Sequence, residues 1–254
     1  MERGSYVSAS GGLVQLRRLE VVNNNLANVN TPGFKRQMIV NDVSAFDKTL
    51  AGAEANSAPF AKEDHDRAPA VANARAITDF SQGPIRNTGN SLDVAINREK
   101  EFFVVNGPSG REYTRSGNFT LNAEGELVTQ DGAQVLGDGG AITVTGSGAN
   151  ISPSGAIRAG GVDVGRLQVV RIEDPQSLER LGNARFRLPE SQPAPVAVDP
   201  DLTSQSLEMS NTSAISSIVE LIQTQRGFQM YTKTAETISA MNQSAINQVG
   251  KRNS

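Results

Sequence analysis

No cysteine and no tryptophan occur among the 254 residues, and histidine occurs once. Disulfides and thiolate metal sites are therefore excluded. Aromatic residues make up 5% of the chain, so any core must be built mainly from Val, Ile, Leu and Ala, and a large aromatic ligand platform is not expected. A basic excess is missing too. With 24 Lys and Arg against 27 Asp and Glu, the net charge of -3 argues against a non-specific nucleic-acid binder. No run reaches the roughly 18 apolar residues of a membrane span, and the first thirty residues lack the short apolar stretch of a secretory signal. The chain is thus expected to contact neither nucleic acid nor the membrane interior, and any export must use a route that reads no cleaved signal.

What is present falls into distinct textures. Ala9, Leu13, Leu16, Leu19, Val22 and Leu26 recur at spacings of three and four, which predicts an N-terminal helix from residue 5 to about 29. Gly11 and Gly12 weaken its first turns. It stops at Asn30-Thr31-Pro32-Gly33, where Pro32 disfavours the α region for Thr31 and Pro-Gly fits the centre of a type II turn. Residues 35–80 sustain neither period and are expected to form an extended connector with short strands. From about 80 to 200, β-prone runs at 102–105, 112–115, 118–121, 126–129, 134–136, 142–144, 156–158 and 166–170 alternate with small residues, and tight hairpins are expected at Asn106-Gly107, Ser116-Gly117, Glu124-Gly125 and Asp131-Gly132. This spacing predicts an antiparallel sandwich or irregular barrel. After Pro193, Pro195 and Pro200, Ile215, Ile218, Ile222, Tyr231, Ala235, Ile238, Met241, Ala245 and Val249 form a second helical stripe. Asn211 and Ser213 are its candidate N-caps.

The resulting expectation is an α+β chain with four parts: an assembly helix at 1–34, a connector at 35–80, a central β domain at 81–205 and a second assembly helix at 206–254. The two terminal stripes are expected to bury against each other as a coiled coil, leaving the other helix faces for neighbours. Few charges flank the second stripe; Ser, Thr, Gln, Asn and Ala dominate, which suits a helix packed on several sides.

Sites of chemistry are hard to find. His65 lies between Asp64 and Asp66, but one His and adjacent carboxylates do not define a coordination sphere, so a solvated charged loop is the better reading. Gly137-Asp138-Gly139-Gly140 lacks the Lys-Ser or Lys-Thr and the helix start of a phosphate loop and reads as a turn. No nucleophile motif accompanies the sole His. Asp93 and Glu112 can be paired on paper as glycosidase acids, as can many pairs among 27 carboxylates. A monomeric sugar-binding or adhesin module would explain the β-rich middle but not two matched helices. Neither catalytic residue, cofactor nor metal is assigned.

Asn24-Asn25-Leu26-Ala27-Asn28-Val29-Asn30-Thr31-Pro32-Gly33-Phe34-Lys35-Arg36 resembles the N-terminal signature of flagellar rod and hook proteins, NNLANxxTxGFKR. Further likeness lies in 82–96, in Tyr113-Thr114-Arg115-Ser116-Gly117-Asn118-Phe119, in Leu207-Glu208-Met209-Ser210-Asn211 and in 222–226. Within that family the length and the stretch 135–140 look more like the proximal-rod type than the distal-rod type or the longer hook subunit. Gly12 stands where the family usually has Met. The resemblance implies a structural subunit, exported uncleaved by the flagellar type III apparatus, that polymerises with itself and with other rod and hook proteins into a torque-transmitting helical tube. Its assembly residues are then expected among the stripes and the motif: Leu13, Leu16, Leu19, Leu26, Asn28, Pro32, Gly33, Phe34, Ile218, Ile222, Ile238 and Val249.

Overall fold

A computed structural model describes residues 2–45, 69–146 and 148–252. His65 and its charged neighbours lie outside the described residues, as does the side chain of Val249. Chain contacts divide the protein into two units, one holding the helices up to Leu26 and from Ala214 onward together with Gln37–Ile77, the other holding Ala27–Arg36 and Thr78–Ser213.

In the helical unit, α1 spans Glu2–Ala27 and α2 spans Ala214–Arg252. They touch with opposite chain directions: the Tyr231 ring covers Gly11, the Gln15 side chain lies 3.3 Å from where a Cβ on Gly227 would sit, and Arg18 pairs with Glu220 at 2.9 Å. A Cβ on Gly11 would collide with the Tyr231 ring. Glycine in a helix costs about 0.5–1 kcal/mol relative to alanine, and here that cost is offset by the seat it provides for an aromatic ring. The inward face of α2 carries Ser217 and Thr224, both buried, and then Tyr231 and half-buried Ile238, at intervals of seven. On α1 the buried positions are Ser8, Val14, Val22 and Asn25.

This corrects the expected apolar seam. Leu13 is 66% and Ile215 78% exposed, and Leu16, Ile218, Ile222 and Met241 are exposed as well; Leu19 and Leu26 are half-buried, and of the first stripe only Val22 is buried. The reason is steric. Glycines and small hydroxyls let two helices approach more closely than an Ile and Leu seam, which sets a wider axial separation. Three threonines of α2 also look after their own hydroxyls: Thr232, Thr234 and Thr237 donate to the carbonyls of Phe228, Met230 and Lys233 at 3.0, 2.8 and 2.9 Å.

The predicted connector is more regular than expected, since β1 (Gln37–Ala45) and β2 (Pro69–Thr78) pair as a two-stranded sheet. Asn25 reaches β1 through a double amide clasp, donating to the Gln37 carbonyl at 2.7 Å and accepting from its N–H at 2.9 Å.

In the β unit, short strands run as β3 (Ile85–Asn87), β4 (Val94–Ile96), β5 (Glu101–Gly107), β6 (Gly110–Thr114), β7 (Phe119–Leu121), β8 (Leu127–Thr129), β9 (Gln134–Gly137) and β10 (Gly140–Ala141). They continue as β11 (Asn150–Ile151), β12 (Ala156–Ala159), β13 (Val162–Arg166), β14 (Val169–Arg171), β15 (Glu179–Gly182), β16 (Arg185–Arg187), β17 (Val196–Val198), β18 (Leu202–Ser204) and β19 (Ser206–Glu208). Pairing among β3 to β19 is antiparallel. The central strand is β5, bonded along one edge by β6 and along the other first by β14 and then by β9. Its alternation feeds two cores. Phe103 and Val105 join Val94, Phe119, Leu127 and Ile157 on one face, while Phe102 and Val104 join Tyr113, Val170 and Phe186 on the other. A strand buried on both sides reads as an unbroken apolar run, which is what Phe102-Phe103-Val104-Val105 is.

Local details depart from the sequence reading. The first hairpin turns at Pro108-Ser109 and not at Asn106-Gly107, because Gly107 still pairs with Gly110. Ser116-Gly117 is no hairpin turn; a Cβ on Gly117 would strike the Val94 carbonyl, so the glycine serves a close backbone approach. Residues 142–144 contribute one isolated bridge, Glu126 to Thr143, in place of a strand. The 137–140 stretch is the turn between β9 and β10.

Gly11→Val should open the helix pair without touching the β unit. The expected outcome is faster amide exchange along 8–22 and 217–235, partly restored by Tyr231→Ala in the same chain; unchanged exchange in both helices would refute the close contact.

Candidate functional site

The β unit encloses a charged centre made from three distant parts of the sequence. Glu208 closes β19, Arg115 follows β6, and Lys35 follows the turn at Pro32-Gly33; their side chains are 0%, 2% and 1% exposed. Lys35 Nζ donates to Glu208 Oε1 and to the Ser81 carbonyl, both at 2.6 Å. Arg115 donates from Nε to Glu208 Oε2 at 2.8 Å, and its Nη2 lies 2.6 Å from the same oxygen. The rest of the guanidinium is consumed by carbonyls, those of Arg98 and Glu101 at 2.7 Å each and that of Ile96 at 3.3 Å. The Gly83 amide completes the carboxylate, donating to Oε1 at 3.0 Å.

Two cations thus share one carboxylate, and the residual positive charge is spread over backbone carbonyl dipoles. Burial pushes the Lys35 ammonium below its usual value; Glu208 offsets part of that and Arg115 adds to it. Without its partner, a charge in such a site costs several kcal/mol. The centre is therefore a demanding polar core, and its geometry leaves no atom free for a substrate.

The signature segment is fitted to this centre. Thr31 N–H donates to the Asn28 carbonyl at 3.1 Å, its hydroxyl to Asn28 Oδ1 at 3.2 Å, and Phe34 N–H returns to the Thr31 carbonyl at 3.3 Å. Gly33 has φ of 68°, donates its N–H to the Glu208 carbonyl at 2.8 Å, and stands where a Cβ would meet the Ser116 amide. Both the positive φ and the close approach require glycine. Phe34 is buried, with the Arg180 guanidinium 4.8 Å from its ring centroid, and Arg180 Nη1 donates to the Lys35 carbonyl at 2.6 Å.

Next to it a polar clamp gathers the chain. Arg36 N–H donates to Asn211 Oδ1 at 2.8 Å, its guanidinium pairs with Asp79 at 2.8 Å, and Asp79 N–H donates to the Arg36 carbonyl at 2.9 Å. Asn211 Nδ2 donates in turn to the carbonyls of Asp79 and Ser81. Asn211, expected as an N-cap, is used for this clamp.

Of the expected assembly residues, Asn28, Pro32, Gly33 and Phe34 belong to this region. Pro32 is half-buried and lines a cavity of about 220 Å³ with Thr31, Asp131 and Arg185 among others. Leu13, Leu16, Leu19, Leu26, Ile218, Ile222 and Ile238 stand on the helices of the other unit. Lys35, Arg115, Glu208, Gly83 and Asn25 all lie in the stretches that carry the family resemblance, but no role was assigned to them, because apolar periodicity carries no signal for a buried ion.

The carboxylates weighed as acids have structural partners. Asp93 accepts from Thr88 Oγ1 at 2.6 Å and Asn90 Nδ2 at 3.0 Å, and Glu112 pairs with Arg185 at 2.9 Å. Among the described residues no three His, Cys, Asp or Glu side chains are grouped to hold a metal, and no helix is long and apolar enough to cross a membrane.

Three family profiles match the chain: "Flagella basal body rod protein" over residues 6–35, "Flagellar hook protein FlgE/F/G D1 domain" over 95–159, and "Flagellar basal body rod FlgEFG protein C-terminal" over 203–248. Flagellar basal-body rod protein FlgF of Caulobacter vibrioides is 34% identical over 259 aligned positions, covering 100% of both chains. Flagellar basal-body rod protein FlgG of Bacillus subtilis is 31% identical, covering 97% of this chain and 99% of its own. FlgF of Rhizobium meliloti is 30% identical over 91% of each chain.

Glu208→Gln should leave two buried cations facing a neutral amide and lower the stability of the β unit by about 3–5 kcal/mol in urea titration. Lys35→Met, which leaves a complete Arg115–Glu208 pair, should cost clearly less; equal losses would show that Lys35 is as indispensable as the carboxylate. A second outcome concerns acid. Burial alone would raise Asp79, but bonds from the Ser81 amide and hydroxyl and from Arg36 outweigh it and hold its carboxyl below the ordinary value of 3.8. A depressed acid stabilises the fold above that value and loses the contribution as pH falls through the folded one. Asp79→Asn should flatten the fall in stability below pH about 4, and a slope identical to that of the unaltered chain would remove Asp79 from the account.

Proposed function

The chain belongs to the flagellar rod and hook family as a structural subunit of the basal-body rod, of the FlgF/FlgG type, and we propose that it works there by polymerising into a helical tube that carries torque. The observation that supports polymerisation is the apolar surface left uncovered on the helical unit. Leu13, Leu16, Ile215, Ile218, Val219, Ile222, Met230 and Met241 are all exposed in the single chain. So much apolar area at the surface is the mark of an interaction face, and full burial of one Ile contributes about 1.5–3 kcal/mol. The threonines that satisfy their hydroxyls within α2 present methyl groups to a neighbour, so contact there does not strand a donor.

The seam between α1 and α2 supports a short coiled-coil-like pairing through small residues, with the apolar rows turned outward to neighbouring subunits. The β unit, with a central strand buried on both faces, is read as a sandwich-like body. An open tube follows when a head-to-tail contact rotates without closing, which requires two different complementary faces per subunit. The partners are other copies and other rod and hook proteins, reached through the flagellar type III export apparatus without cleavage. Nothing in this role calls for a catalytic site, and the relatives are rod proteins by name.

Ile222→Asp tests the reading. It should leave secretion and the melting of the β unit intact, within about 0.5 kcal/mol because the side chain is exposed in the single chain, while abolishing incorporation into basal bodies. Normal rods built from a secreted Ile222→Asp subunit would take α2's outward row out of the assembly contact.

A further inference from the structure

Glu208 does not depend on Lys35 for its own satisfaction. Arg115 binds one carboxylate oxygen twice over and the Gly83 amide holds the other, so withdrawing Lys35 leaves a neutral, fully hydrogen-bonded ion pair. The socket is thus complete before Lys35 enters it. In the entering segment Asn28, Thr31 and Phe34 hold the turn by bonds inside residues 28–34, while Gly33, Lys35 and Arg36 direct theirs to the socket side. Only Ala27–Arg36, out of everything before Thr78, belongs to the β unit; α1 precedes it and β1 follows it in the other unit.

A preformed socket and a preshaped plug on a short insert make exchange between copies inexpensive, since every contact of the closed chain is recovered when the plug comes from a neighbour. We propose that the Gly83–Arg115–Glu208 socket also accepts residues 27–36 of a second copy of this chain, so that subunits are linked by exchanged signature segments. Lys35 supplies the charge-assisted bond to Glu208, Phe34 the apolar anchor under Arg180, and Gly33 the backbone bond to the Glu208 carbonyl. The proposal concerns isolated copies in solution as well as polymers, and its failure would leave the rod reading intact.

The absence of cysteine makes the test direct. Arg36 and Asp79 are joined by a backbone hydrogen bond, and the Arg36 side chain is exposed. Full chains carrying Arg36→Cys are mixed with full chains carrying Asp79→Cys and oxidised. The expected result is a mixed disulfide dimer severalfold above either self-dimer, reduced to the self-dimer level by Lys35→Ala in the Arg36→Cys copy. The double variant Arg36→Cys/Asp79→Cys, which should close within one chain, shows that the site is folded. A mixed dimer no more abundant than the self-dimers, in preparations whose double variant closes, overturns the proposal. Should the cysteine variants not fold, a labelled synthetic peptide of residues 27–36 is titrated into the full chain carrying Lys35→Ala. Saturable binding that weakens about tenfold or more when the peptide itself carries Lys35→Ala upholds exchange, and no binding overturns it.

Discussion

A carboxylate with no access to water must be answered by fixed donors, and the β unit is arranged so that Glu208 is. Its oxygens receive Arg115, Lys35 and the Gly83 amide. Each of the three stretches matched by a family profile contributes one member: Lys35 ends the first, Arg115 lies in the second, Glu208 in the third. An ion pair of this kind adds little net stability compared with a well-packed apolar cluster, but it punishes any arrangement that buries Lys35 or Arg115 away from the carboxylate. Its value here is register. The N-terminal signature can sit on the β unit in one way only, with Gly33 against Ser116 and Phe34 under Arg180.

Packing energy and specificity are thereby separated along the chain. The β unit gains stability from two apolar cores on either side of β5 and gains uniqueness from the charged centre. The helical unit does the reverse. Its internal seam includes Gly11, Gly227, Ser217 and Thr224, which contribute little apolar burial, while Leu13, Leu16, Ile215, Ile218, Ile222, Met230 and Met241 remain exposed. A lone pair of such helices is weakly held, and added apolar contacts on the outer faces are what would make them firm.

Much of this was legible in the sequence. The two helices follow from three- and four-residue periodicity, the β-rich middle from short apolar runs between glycines, and the turn at Pro32-Gly33 from its dipeptide. The direction in which the helices face was not legible. Periodicity locates an apolar row without saying whether the row meets a partner in the same chain, and Gly11 reads as a helix-breaker until Tyr231 is seen to cover it. The connector was expected to hold short strands, but not the pairing of β1 with β2, because the two lie far apart in sequence and neither sustains an alternating pattern. The charged centre was invisible for a different reason: Lys35, Arg115 and Glu208 look like ordinary surface residues, and only the convergence of their three stretches buries them.

The clamp of Arg36, Asp79 and Asn211 bears on how force would leave the β unit. The backbone crosses between the two units after Leu26, Arg36, Ile77 and Ser213. Beside the last three crossings stand Arg36, Asp79 and Asn211, bonded to one another at 2.8–2.9 Å. Independent linkers under load would each stretch as single chains, and the shortest would carry most of the force. Exits tied together a residue or two from where they emerge are loaded in parallel, because displacing one pulls on the hydrogen bonds of the others. Those bonds are anchored in turn, since Ser81 lies between the clamp and Lys35, and Met209 N–H is bonded to the Pro84 carbonyl. The three tied exits are thereby bonded to Ser81 and, through its carbonyl, to Lys35 and the buried carboxylate.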